Sequence, residues 1–153
     1  MLRALFVACA IAMCALLGRS VWRMSQRGSA VKRRAATVFA GRERLTPSEF
    51  SDLFPASVSP IAKRLHDILK KVLIVDVRFI RPDDRLLSDL GLGQVDGLEP
   101  YHLDDIVRSE YRASLLPLLE AEGDPSVAEV VAYLASDAAT NHPMQWTRGQ
   151  HPA

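Results

Sequence analysis

The sequence predicts a mostly α-helical protein, with one N-terminal helix followed by a small helical domain. Three observations carry that prediction. Residues 4–18 form an uncharged, mostly apolar run. Three later segments repeat apolar residues at helical spacing, and each opens on a capping or proline signal. Only residues 72–77 are β-branched enough to suggest a strand, and they read more simply as the end of a helix and the loop after it.

The N-terminal run comes first. Residues 4–18 give about 22 Å of helix, short of the roughly 30 Å hydrocarbon core of a bilayer. Extension over residues 2–22 gives about 31 Å. It sets Arg3 and Arg19 near the ends, where long side chains reach the headgroups, and Trp22 at the interface. A cleaved signal peptide is the rival reading, because its apolar region is this short. Against it, Arg19 follows Gly18 where a small residue should stand. The downstream flank carries Arg19, Arg23, Arg27, Lys32, Arg33 and Arg34, against Arg3 upstream. Basic residues are retained on the cytoplasmic side. The expectation is a single-pass anchor at residues 1–23 in the cell inner membrane, with the C-terminal domain in the cytoplasm. Residues 24–45 then read as a basic linker or a basic continuation of the helix.

Residues 46–58 read as a short capped helix and a turn. Thr46 caps, Pro47 fits the first helical position, and Glu49 closes a capping box. Phe50, Leu53 and Phe54 share a face, and Pro55 ends the element. Ser59-Pro60 opens the next helix, whose Ile61, Leu65, Ile68, Leu69 and Val72 form one apolar stripe. His66 sits beside that stripe and reads as a partly exposed surface residue. The last helix is the clearest. Ser126 and Glu129 make a capping box, and Val127, Val130, Val131 and Leu134 follow at i, i+3, i+4 and i+7. Residues 138–153 read as a disordered tail.

Ile80-Arg81-Pro82-Asp83-Asp84-Arg85-Leu86-Leu87-Ser88-Asp89-Leu90-Gly91 resembles the loop that enters the second helix of acyl carrier proteins. The resemblance covers about residues 59–136 and implies a four-helix bundle. In that family an Asp-Ser-Leu follows, and its serine carries the phosphopantetheine arm. Here Gln94 stands in that place. A second register aligns Tyr101-His102-Leu103-Asp104-Asp105-Ile106-Val107 with the start of the same helix, using Glu99-Pro100 as its start signal. That register puts His102 at the serine position. Neither register offers the hydroxyl nucleophile that takes the arm, so the resemblance implies a carrier-like domain with no phosphopantetheine cofactor.

The charge is divided along the chain. Residues 1–71 hold 13 Lys/Arg and 4 Asp/Glu; residues 72–137 hold 5 and 14. The acids Asp83, Asp84, Asp89, Asp96, Glu99, Asp104 and Asp105 gather around the second helix. The resemblance implies that such a face meets basic patches on partner proteins, setting approach rate and selectivity. An acidic domain is a poor ligand for nucleic acid, and the basic flank is better explained by the membrane it adjoins. The two cysteines, Cys9 and Cys14, both lie in the apolar run and suit neither a zinc site nor a disulfide framework. His102 with Asp104 and Asp105 reads as a helix start favoured by its dipole, not an acid–base pair. His142 and His151 lie in the tail with no fixed geometry for metal. Gly91-Leu92-Gly93 lacks the continuation of a phosphate loop. The expected function is therefore non-catalytic: a membrane-tethered module that binds a protein partner. The alternatives are a genuine carrier using an atypical serine, or a secreted or periplasmic helical domain.

Overall fold

A computed structural model describes the backbone of residues 2–95 and 97–141, and the side chains of residues 13–95 and 97–136. Six helices account for the described elements: α1 (Leu2–Val38), α2 (Pro47–Asp52), α3 (Ser59–Val72), α4 (Glu99–Tyr111), α5 (Leu116–Glu122) and α6 (Val127–Asn141), with a 3-10 turn at Val77–Phe79. No strand occurs among the described residues; the one isolated bridge joins Arg85 to Ser126.

Of the two readings of residues 24–45, linker or continuation, α1 takes the second as far as Val38. It is one continuous helix through the basic stretch, and its last turns bury Val31 and Ala35 against the domain. Its earlier described part is exposed, including Met13, Leu16, Leu17, Val21 and Trp22. Among the described residues no helix is long and apolar enough to cross a membrane. The apolar run at 4–18 falls largely on residues whose side chains lie outside the described ones.

α2 forms as its sequence dictates. The Glu49 N–H donates to Thr46 Oγ1 at 3.2 Å, and the Thr46 N–H donates to Glu49 Oε2 at 2.7 Å. Two orphan donors of the helix start are thus satisfied reciprocally. Phe50 is buried, Phe54 is half-buried, and Leu53 is exposed beyond the helix end. In α3 the expected stripe is buried at Leu65, Ile68, Leu69 and Val72. Ser59 is not its cap: Val58 occupies that position without a side-chain hydrogen bond, and Pro60 sets the first turn. After Val72 the chain turns extended at Leu73 and forms no strand.

α6 carries the second capping box. The Glu129 N–H donates to Ser126 Oγ at 3.2 Å and the Ser126 N–H to Glu129 Oε2 at 2.6 Å. Val127, Val130, Val131 and Leu134 are buried, as their spacing predicts. The helix continues to Asn141, so residues 138–141 are helical and not tail. The remainder of the expected tail, with His142 and His151, lies outside the described residues. The core gathers Leu65, Leu69, Leu86, Leu90, Leu103, Val107 and Leu134 from α3, α4, α6 and the loop before α4.

His66 is buried, not on the surface. It is 2% exposed, and its ring lies 5.0 Å from that of Phe50. The cause is α2, which folds back over the flank of α3 that the apolar stripe leaves open.

Candidate functional site

The carrier-like motif maps onto the loop over residues 80–95 and the head of α4. α4 begins at Glu99, with Pro100 in its first turn, so the register that starts at Glu99-Pro100 describes the helix. Gln94 belongs to the loop. Its side-chain N–H donates to the Leu87 carbonyl at 2.7 Å, which turns the amide inward as a loop brace. His102 stands exposed in the opening turns of α4. No serine occupies the helix head. Ser88 is half-buried in the loop with its N–H on Asp124, while Ser109 and Ser114 lie at or beyond the far end of α4.

The acidic residues divide sharply. Asp84 is 3% exposed; its carboxylate accepts from Arg42 at 2.7 Å and from the Arg81 N–H at 2.7 Å. Asp104 is 2% exposed and accepts from the Leu115 N–H at 2.6 Å, Ser114 Oγ at 2.8 Å and Arg108 at 2.7 Å. From within α4 it caps the start of α5, whose own cap residue, Leu115, has no side chain to do so. Both are therefore removed from the expected partner surface. A buried carboxylate is retained only where donors replace its water, and these donors come from the chain itself. Asp89 accepts from the Arg85 N–H at 2.9 Å and Glu99 from the Gly97 N–H at 3.1 Å, so each also has an internal task. Asp83 and Asp105 remain exposed; Asp96 lies outside the described residues.

Apolar groups stand where the acids do not. Leu98 is 64% and Tyr101 60% exposed, one helical turn apart at the head of α4. With His102 and Asp105 they make an exposed ridge of mixed character. Sequence reasoning missed it because large exposed apolar side chains look like core residues until the packing is known.

Two glycines fix this loop. Gly91 has φ of 74°, and a Cβ there would drive into the Val31 side chain of α1. Gly93 has φ of 79°, and its Cβ would stand 3.2 Å from Pro100 Cγ. Both positions need the left-handed backbone and the missing side chain together.

Of the basic flank, Arg19, Arg23, Arg27, Lys32, Arg33 and Arg34 are all exposed on α1. Between the end of α1 and residues 74–79 lies an open groove of about 470 Å³, lined by Lys32, Ala35, Phe39, Ile74 and Phe79 among others. Among the described residues no group of three His, Cys, Asp or Glu side chains is placed to hold a metal ion. Among the described residues His66 is the one buried imidazole. Its ring nitrogens close no hydrogen bond, and burial lowers its pKa against the opposing pull of the Asp67 carboxylate.

No family model, curated protein or solved structure matches this chain. The likeness to carrier proteins rests on the motif residues alone.

Proposed function

We propose that this protein is a membrane-tethered, non-catalytic, carrier-like interaction module. The observation that carries the proposal is the head of α4. Where a carrier needs a hydroxyl, the chain offers an inward-turned Gln94 and an exposed His102, neither able to take a phosphopantetheinyl group through oxygen. The same place instead presents Leu98 and Tyr101 to solvent. Exposed apolar side chains ringed by polar groups suit a protein partner. Asp83 and Asp105 supply charge for selectivity at the rim.

The tether is supported by the apolar run at 4–18, the basic residues that follow it, and the length of exposed helix between that run and the domain. The reading places the anchor in the cell inner membrane and the domain in the cytoplasm. Incubation with a promiscuous phosphopantetheinyl transferase, followed by intact-mass measurement, tests the first part. The expected result is an unchanged mass; a gain of one arm would make the chain a carrier that uses an atypical serine. A reporter fused after Ala153 tests the second: cytoplasmic activity is expected, and periplasmic activity would reverse the orientation.

A further inference from the structure

The docked end of α1 and the exposed head of α4 meet through one loop. Val31 of α1 presses on Gly91, where no side chain fits. Leu92, next in the chain, is held by its N–H on the Leu86 carbonyl at 2.9 Å. Gly93 then passes so close to Pro100, in the first turn of α4, that a Cβ would stand at 3.2 Å. Gln94 braces the same loop on Leu87. Two glycine-only approaches thus lie two residues apart, one facing the tether and one facing the helix that bears Leu98 and Tyr101.

The α1 end of this chain of contacts is lightly packed. It rests on Val31, Ala35 and Phe39, and the groove of about 470 Å³ runs beside them. Partial packing with few buried apolar contacts is the property of segments that open locally while the rest of a fold stays closed.

We infer that the last turns of α1 form a latch on residues 91–94, and that docking of the tether sets the order of the α4 ridge. With α1 docked, Val31 holds Gly91, the loop holds Pro100, and Leu98 and Tyr101 stand in fixed positions. With α1 lifted, the loop loses its wall and the first turn of α4 frays with it. A pull on the tether, or a change in how it lies at a membrane surface, is thereby transmitted to the partner-facing ridge. The use of this coupling rests on the interaction-module reading; the coupling itself does not, and it is measured without any partner.

Amide hydrogen exchange on the full chain, read by mass spectrometry, tests it with two substitutions at opposite ends. Ala35→Asp places a charge in the buried α1 contact without touching the loop. The expected result is exchange about tenfold faster at residues 91–102, including the Leu92, Gln94 and His102 amides, with residues 127–134 of α6 unchanged. Gly93→Ala disturbs the Pro100 contact without touching α1. Because coupling between two sites is reciprocal, exchange at residues 31–39 should rise as well. Faster exchange confined to α1 in the first variant, or confined to the loop and α4 in the second, overturns the latch. So does a uniform rise that includes α6, since that is global loosening. A carrier-type mass gain in the transferase assay would leave these outcomes untouched, so the two readings fail separately.

Discussion

His66 holds the most exposed consequence of a single burial. Its imidazole is closed off by Phe50 and lacks a hydrogen-bond partner, so the fold disfavours the charged ring and its pKa is lowered. The facing charges are Asp67, which favours protonation, and Lys70, which opposes it. A base whose folded pKa lies below its unfolded value binds more protons when unfolded. Stability is then complete above the unfolded value of about 6.5 and declines as pH falls through it. Urea denaturation from pH 7.5 to 5 should show this decline, and His66→Phe should flatten it. The shared acids Glu49 and Glu129, whose capping hydrogen bonds lower their pKa values, add their own loss only below about pH 4.5. An unchanged slope in His66→Phe would mean that the ring is solvated. Asp104 makes the opposite case, a charge that the fold has paired. Asp104→Ala leaves the Leu115 N–H without its acceptor and α5 without its cap. A loss of about 3 kcal/mol is expected from denaturant midpoints.

At the scale of elements, what was legible was local. Both capping boxes join residues three apart, and both are present in the structure because their chemistry needs nothing from the rest of the chain. The buried stripes of α3 and α6 follow from helical spacing for the same reason. Asp104 reads as a favourable charge near a helix start, and its pair with Arg108 is an ordinary i,i+4 contact. Yet the acceptor role that caps α5 joins it to Ser114 and Leu115, 10 and 11 residues on, which no short pattern announces. Likewise Asp84 meets Arg42 across 42 residues of chain. The fate of His66 depended on how α2 folds back, which a stripe on α3 does not specify. Residues 24–45 allow a linker or a continuation of the helix, and the helix runs on to Val38, where Val31 and Ala35 pack against the domain, a contact that a basic, glycine-bearing stretch does not announce. Two glycines make that interface testable. Gly28 lies within α1, and a Cβ there would meet Ile74 Cδ1 at 3.7 Å, an ordinary contact. Gly28→Ala should therefore stabilise α1 by about 0.5–1 kcal/mol, through helix propensity. Gly91→Ala should destabilise the fold by about 1–3 kcal/mol, because it adds a clash with Val31 to a left-handed backbone. Thermal unfolding followed by circular dichroism at 222 nm reads both; equal shifts in one direction would place α1 off the domain.

Across the whole molecule, the main physical problem is the uncovered part of α1. Most of residues 13–30 lie in solvent, carrying Leu16, Leu17, Val21 and Trp22 outward, with Gly18 and Gly28 weakening the helix. A solitary helix of this kind is marginal in water, since helices in proteins draw most of their stability from a packed face. The tethering proposal supplies the cover: lipid around the apolar run, headgroups around Arg19 and Arg23, and the domain from Val31 onward. It also explains why the charge changes sign along the chain, because the basic flank adjoins an anionic surface and the acidic domain stands away from it. The midpoint of the apolar run is Ile11. An aspartate at the centre of a spanning helix costs about 3 kcal/mol, enough to shift insertion of a run this short. The full chain should float with phosphatidylcholine vesicles and resist carbonate extraction, whereas Ile11→Asp should be extracted. Val21→Asp, in the basic flank, should leave flotation intact. If both variants remain membrane-bound, attachment does not run through the apolar core of residues 4–18, and α1 must find its cover in another protein.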